Sequence, residues 1–288
     1  MPARLQNDFT LRTRHARLRI SDSGGDGTPI LLLHGTGSTR HAFRKQFESA
    51  LTSRHRLVAP DLPGHGESTD AAAPELDYTL GGFTGTVANV IESLGLNKVV
   101  VYGWSLGGHI GIELLQNPAV AGLMIGGAPP TSKGPLGMLR AFQPSWDMLL
   151  ASKERYSDRD VLRFHELCFP HGSDPVLAEA VRRADGRARS ILVKSLMRGD
   201  GSDQRRAVEE AHVPVAIVNG RGEPFVRLGY LDGIHSPALW KGAPQVIDGA
   251  GHAPFWDQPV IFNALLGQFT ADAAAFAERA PVRAARSA

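Results

Sequence analysis

The stretch Val99-Val100-Val101-Tyr102-Gly103-Trp104-Ser105-Leu106-Gly107-Gly108-His109-Ile110-Gly111-Ile112-Glu113-Leu114-Leu115 decides the fold. A short β-branched run passes into Gly-x-Ser-x-Gly and then into an apolar pattern of helical period. That order predicts a strand, a tight turn with Ser105 at its apex, and a helix. Glycine belongs on both sides of such a serine, because the serine backbone is strained and a flanking side chain would strike the turn. In a chain with 32 Gly among 288 residues the pentapeptide alone is a weak signal. The strand before it and the helix after it give it meaning and make Ser105 the candidate nucleophile.

A nucleophilic serine needs a base, and the base needs an acid to orient it. Around such a turn both follow the serine in the chain, the acid before the histidine. The later histidines are His109, His165, His171, His212, His235 and His252. Only His252 lies in a strand end, a glycine-rich turn and a helix start, Val246-Ile247-Asp248-Gly249-Ala250-Gly251-His252-Ala253-Pro254-Phe255. Such a turn would bring its imidazole to the sheet edge that carries Ser105. The acid is expected after the preceding strand, Val213-Pro214-Val215-Ala216-Ile217-Val218-Asn219, where Gly220-Arg221-Gly222-Glu223-Pro224 supplies Glu223. Asp248 and Asp257 flank His252 but lack that placement. A developing oxyanion would meet the backbone N–H of Leu106, at a helix N-terminus, and that of Thr36, in the turn His34-Gly35-Thr36-Gly37 behind the strand Ile30-Leu31-Leu32-Leu33. His34 reads as a residue that ties this turn down. His65 reads as part of the loop 60–68, which Asp61, Gly64, Gly66 and Ser68 shape.

With 42% hydrophobic and 21% charged residues the chain has ordinary globular usage, and its length allows one large core plus an accessory element. A net charge of +2 gives no ground for a nucleic-acid partner. Arg182, Arg183, Arg187 and Arg189, interleaved with Glu179 and Asp185, read as a solvated helix face. The single cysteine, Cys168, excludes an internal disulfide framework and reads as a small buried apolar side chain in a reducing compartment. The sequence opens without the apolar core of a secretory signal, and no run of about 18 apolar residues occurs, so the expectation is a cytoplasmic protein with no membrane partner. No H-x-H pair or comparable cluster suggests a metal, and no cofactor is expected.

Short apolar strands alternate with helical patterns, the signature of an α/β chain with a mostly parallel sheet and helices on both faces. Arg17-Leu18-Arg19-Ile20 is expected at the sheet edge. A helix over 78–94 is expected to lie close on the sheet through Gly81, Gly82 and Gly85. Residues 1–129 and 211–278 are expected to form the two parts of the core, 130–210 a helical cap, and 279–288 a frayed tail. In the cap, Ser157 with Asp160 predicts a capped helix start, Asp174-Pro175 a second, and Gly186 an interruption. The cap would roof the serine and exclude water. Trp146, Met148, Phe164 and His165 are candidates for its inner wall, and Trp104 for a further substrate contact.

Taken together, Asp61-Leu62-Pro63-Gly64-His65-Gly66, Gly103-Trp104-Ser105-Leu106-Gly107-Gly108-His109-Ile110-Gly111, Asp185-Gly186-Arg187-Ala188-Arg189, Asn219-Gly220-Arg221-Gly222-Glu223-Pro224-Phe225-Val226 and Gly251-His252-Ala253-Pro254-Phe255 resemble the metal-independent N-acyl-homoserine lactonases of the α/β-hydrolase fold. The serine turn and the histidine turn are common to many hydrolases. The segment 185–189 and the glutamate form of the acid motif point to the lactonase group. The resemblance implies Ser105 as nucleophile, Glu223 as acid, His252 as base and Thr36 at the oxyanion-loop position. It implies a small-molecule ester or lactone with an apolar acyl chain as substrate, opened through an acyl-enzyme, with quorum-signal degradation as the role. Two positions depart from that group: Thr36 stands where an asparagine can follow the His-Gly pair, and Phe164 where a tyrosine would offer a hydroxyl.

A carboxylesterase or a carbon–carbon bond hydrolase would use the same three residues, and a non-catalytic ligand receptor can be built on the same scaffold. Epoxide hydrolases and haloalkane dehalogenases of this fold use an aspartate nucleophile, so Ser105 argues against both.

Overall fold

The apolar runs form eight strands: β1 (Phe9–Arg12), β2 (Arg17–Asp22), β3 (Pro29–Leu33), β4 (Arg56–Pro60), β5 (Val99–Trp104), β6 (Val120–Gly126), β7 (Val215–Gly220) and β8 (Gln245–Ile247). These come from a computed structural model that describes residues 7–279, the Met148 side chain excepted. The tail expected beyond Arg279 and the wall position expected for Met148 lie outside the described residues. The strands make one sheet in the order β1-β2-β4-β3-β5-β6-β7-β8. It is parallel from β4 through β8, with β1 and β2 antiparallel at one end. β5, β6 and β7 are buried along their whole length, which is why they read as unbroken apolar runs.

The two-residue period of a strand divides the core between the sheet faces. Leu31, Leu33, Val99 and Val101 join one cluster, with Phe83, Val87 and Val90 of the helix Leu80–Ser93. Ile30, Leu32, Val100 and Tyr102 join the other, with Phe262, Leu266 and Phe269 of the helix Pro259–Arg279. The latter helix is long and apolar enough to cross a membrane by length and composition. Its apolar stripe covers the sheet, and two of its polar side chains are tied to other elements: Asn263 accepts from Gln46 and Asp272 from the Trp240 indole.

The structure corrects two local expectations. The sheet edge is β1, and β2 is paired on both sides. Its alternation of Arg17 and Arg19 with Leu18 and Ile20 reports one-sided burial, which an interior antiparallel strand also shows. In the helix Leu80–Ser93 the close contact of Gly82 is with the preceding turn and not the sheet: a Cβ there would stand 2.3 Å from the Leu76 carbonyl oxygen.

Between β6 and β7 the chain forms the helices Gly134–Ala141, Asp158–Cys168, Pro175–Arg183, Gly186–Arg198 and Gln204–Glu209, with a 3₁₀ turn at Trp146–Ala151. Ser157 and Asp160 make a reciprocal capping box, and Asp174 caps the helix that Pro175 begins. Gly186 does not interrupt a helix but starts one, capped by the Asp185 carboxylate. A Cβ at 186 would overlap the Glu154 carbonyl. The arginine cluster is also not uniform. Arg182, Arg183 and Arg187 are exposed and paired with Asp158, Asp70 and Asp185. Arg189 is buried, its guanidinium stacked on Tyr156 and donating to the carbonyls of Lys153 and Glu154.

Candidate active site

Ser105 stands between the end of β5 and the helix Leu106–Glu113 with φ 55° and ψ −117°, a conformation that costs about 1–3 kcal/mol in a non-glycine residue. Its N–H is held by the Gly126 carbonyl at the end of β6, at 2.8 Å. The flanking glycines are required by close approach. A Cβ on Gly103 would meet the Gly107 carbonyl at 2.2 Å, and one on Gly107 would meet that of Leu33 at 2.1 Å. The turn is thereby pressed against the ends of β3 and β6, and the Ser105 side chain faces a cavity. The N–H of Leu106 opens the helix, where no intrahelical acceptor exists for it and the helix dipole favours negative charge.

Thr36 lines the same cavity from the turn after β3, and its buried Oγ1 has no partner among the described residues. Gly35 passes so close that a Cβ there would lie 3.0 Å from the Ser105 Cβ. Behind this turn the His34 ring accepts the Leu62 N–H through Nε2 and meets the Gly35 carbonyl through Nδ1, tying two loops together. Asp61, fully buried, accepts from Thr39 Oγ1 at 2.6 Å, Arg40 N at 2.7 Å and Glu67 N at 2.8 Å, and it pairs with the buried Arg40 guanidinium. Arg40, which the sequence reading passed over, thus clamps the loops after β3 and β4. The Asp61 carboxyl is held below its ordinary range: burial works against ionisation, and Arg40, His34 and Thr39 outweigh it.

His252 and Glu223 meet at this edge from the ends of β8 and β7. Nδ1 of His252 lies 2.9 and 2.8 Å from the two Glu223 carboxylate oxygens, and both residues are buried. Glu223 Oε1 also accepts the Phe225 N–H at 2.9 Å. With its Nδ1 proton directed at a carboxylate, the imidazole presents Nε2 as the free nitrogen. The ring is boxed in by Phe225, edge-on at 4.7 Å, by Trp104 at 5.4 Å, and by Gly127, where a Cβ would come within 2.5 Å of Cε1. Asn219 Oδ1 accepts the Gly127 N–H. That asparagine was the signal for this support, a polar residue closing a buried strand. Ser105 and His252 line one cavity with no hydrogen bond between them among the described residues, as is common for catalytic pairs before substrate arrives.

Asp248 and Asp257 are not at the histidine ring. Asp248 is exposed and pairs with Arg221, while Asp257 accepts the Gly251 N–H at 2.8 Å and shapes the turn. Burial raises the Asp257 carboxyl above its ordinary value.

The cavity measures about 150 Å³. The cap supplies most of its apolar wall, through Met138, Phe142, Phe164, Leu192 and Leu196. Three expected substrate contacts are corrected. Trp146 is 88% exposed, because it opens the 3₁₀ turn that Ser145 caps and that turn points it to solvent. His165 packs against Phe169 with the rings tilted and meets Ser173 Oγ through Nε2 at 2.9 Å, so it is part of the cap's own packing. Trp104 is buried behind the site and donates its indole N–H to the His252 carbonyl at 2.8 Å, which makes it a support for the histidine. Phe225 and His109 line the cavity and were not singled out from the sequence. Among the described residues no group of three or more His, Cys, Asp or Glu side chains could hold a metal.

A sequence model of the alpha/beta hydrolase family matches residues 30–265. The crystal structure of the N-acyl homoserine lactonase AidH complexed with N-butanoyl homoserine superposes with a TM-score of 0.90 at 41% identity, covering 93% of this chain and 97% of that one. A pimeloyl-[acyl-carrier protein] methyl ester esterase of Nitrosomonas europaea is 27% identical over 84% of this chain and 95% of its own length. A haloalkane dehalogenase of Psychrobacter cryohalolentis is 38% identical over 104 residues, so the match spans only 35% of this chain and 34% of that relative.

Proposed function

The chain belongs to the α/β-hydrolase family and is a hydrolase, and from that premise we propose that it opens the ring of N-acyl homoserine lactones through an acyl-enzyme on Ser105. One observation carries the reading: a strained serine and a histidine backed by the buried Glu223 face one cavity with an apolar cap wall. The 41% identity to AidH over 93% of this chain supports the choice of substrate.

In the proposed reaction His252 Nε2 takes the Ser105 proton as Oγ attacks the lactone carbonyl, and Glu223 stabilises the imidazolium through Nδ1–H. The oxyanion is met by the N–H groups of Leu106 and Thr36. Collapse of the tetrahedral intermediate breaks the ring C–O bond, and His252 returns its proton to the leaving oxygen. The acyl-enzyme then carries a tethered hydroxyl that can re-close the ring. Water, deprotonated by His252, must win that competition, attack the acyl carbon and release Ser105 with its proton restored. The apolar wall holds the acyl chain and positions the carbonyl.

A second reading, hydrolysis of simple carboxylic esters by the same residues, is favoured by the match to the methyl ester esterase. Parallel turnover of N-hexanoyl and N-butanoyl homoserine lactone and of 4-nitrophenyl esters, by the wild type and Ser105→Ala, separates the two. The lactonase reading expects efficient lactone opening and a loss of about 10⁴-fold or more in the alanine variant. Good ester turnover with inert lactones would replace it by the esterase reading, and an unimpaired alanine variant would remove the serine mechanism altogether.

A further inference from the structure

His109 is a buried titratable group for which the mechanism has no use. It lies four residues after Ser105 on the helix Leu106–Glu113, hence on the same face, and lines the same cavity while only 6% exposed. Its Nδ1 is 2.7 Å from Gln204 Oε1. The Gln204 amide is oriented by its other end, because Nε2 donates to the His109 carbonyl at 3.2 Å and to Glu113 Oε1 at 3.0 Å. Glu113 in turn accepts from Ser202 N–H and Oγ–H. Gln204 Oε1 can therefore only accept, so the His109 proton sits on Nδ1 and Nε2 keeps a lone pair. Nε2 has no protein partner among the described residues and is not one of the atoms sealed from solvent, which leaves it open to the cavity. Burial pushes the imidazole pKa below its usual value, against the pull of Gln204 and Glu113, so the ring stays neutral. A buried acceptor held in one tautomer and left without a protein partner calls for a donor.

We propose that His109 Nε2 accepts a hydrogen bond from the amide N–H that an N-acyl homoserine lactone carries on the ring carbon beside its scissile carbonyl, making His109 a specificity-determining residue. This deepens the lactonase reading and rests on it. Four residues rise about 6 Å along the helix axis. An attack distance of about 3 Å and a hydrogen bond of about 3 Å, joined by the two bonds between carbonyl carbon and amide nitrogen, can fill that span. A substrate without the amide would leave the nitrogen unpaired.

The test compares substrates that differ only in the amide. N-hexanoyl homoserine lactone is set against a γ-lactone with an alkyl chain of equal length, and the 4-nitrophenyl ester of N-hexanoylglycine against 4-nitrophenyl nonanoate. His109→Phe should lower kcat/KM about tenfold for the amide-bearing member of a pair, mainly through KM, and leave the other within about twofold. His109→Gln, whose terminal oxygen can accept, should recover part of the loss. Equal losses on both members would reduce His109 to a structural role, and no loss on either would dismiss the contact. If the wild type opens no lactone but cleaves esters, the lactonase reading fails, while the ester pair still decides whether His109 reads the amide.

Discussion

On the sheet side of the cavity, Ser105, Thr36 and His252 rest on backbone that approaches too closely to admit a Cβ at Gly103, Gly107 or Gly127. On the cap side, Met138, Phe142, Leu192 and Leu196 are held by apolar packing, and the helices behind them by ion pairs at the surface such as Arg163–Asp147 and Arg182–Asp158. The first wall is over-determined, since the Ser105 N–H is held by the Gly126 carbonyl and the His252 ring by Glu223, Phe225 and Trp104. The second can repack, because apolar contacts are non-directional and exposed ion pairs contribute little. On the proposed mechanism, bond-making chemistry resides on the wall fixed by close backbone contacts, and substrate selection on the wall whose volume and shape can change without loss of the fold.

The largest effect that would break this contrast is expected at Glu223. Glu223→Gln keeps the shape but removes the charge facing Nδ1, and steady-state kinetics should show kcat falling toward 10⁴-fold, about the loss measured for the equivalent change in serine proteases. A rate within a few fold of wild type would show that the sheet-side wall does not depend on that pair. Next comes Arg40→Met, which leaves the Asp61 carboxylate buried without its partner. Denaturant unfolding should show a loss of about 3–5 kcal/mol. Asp147→Asn, which breaks a partly exposed pair on the cap, should cost less than about 1 kcal/mol. Comparable costs would erase the distinction between the two walls.

Acid should act through the same clamp. His65 is fully buried against His34, and its pKa is pushed down to about 3, first by burial and then by that neighbouring ring. The unfolded chain binds that proton near pH 6.5, so between about pH 6.5 and 3 the unfolded state carries the extra proton and stability falls as the pH drops. The slope from this one group approaches 1.4 kcal/mol per pH unit. His65→Asn should flatten the pH dependence of unfolding free energy over that window, and an unchanged slope would refute the assignment. The smallest effect is expected on the cap: Leu196→Phe should raise KM for the hexanoyl lactone about threefold relative to the butanoyl, with kcat on the butanoyl compound unchanged. A drop in kcat on both would mean that the cap also positions the reacting carbonyl.

The sequence was most legible where one physical pattern governs. β3, β5, β6 and β7 are apolar because helices cover both faces. The serine turn, Glu223 after β7 and His252 after β8 stand out because strand ends and glycine turns mark the reactive edge of the sheet. It was least legible where meaning depends on which distant residue lies opposite. Nothing local distinguishes Arg40 from a surface arginine, and its partner Asp61 arrives by the pairing of β3 with β4. Arg189, likewise, is buried only because Tyr156 folds beneath it. Trp146 illustrates the converse: aromatic character suggested a wall, but which side of a short 3₁₀ turn faces inward is settled by tertiary contacts. His109 sat within the most informative segment of all, and its open nitrogen became visible only through Gln204, 95 residues away.

The most direct test of the central claim, that Ser105 is the nucleophile of lactone opening, is covalent inactivation by a fluorophosphonate followed by peptide mapping and residual lactonase assay. One phosphonyl group on Ser105, with lactone turnover lost in proportion and slowed labelling when the lactone is present, is the predicted result. Full lactone turnover after stoichiometric labelling of Ser105, or inactivation mapped to another residue, would contradict it.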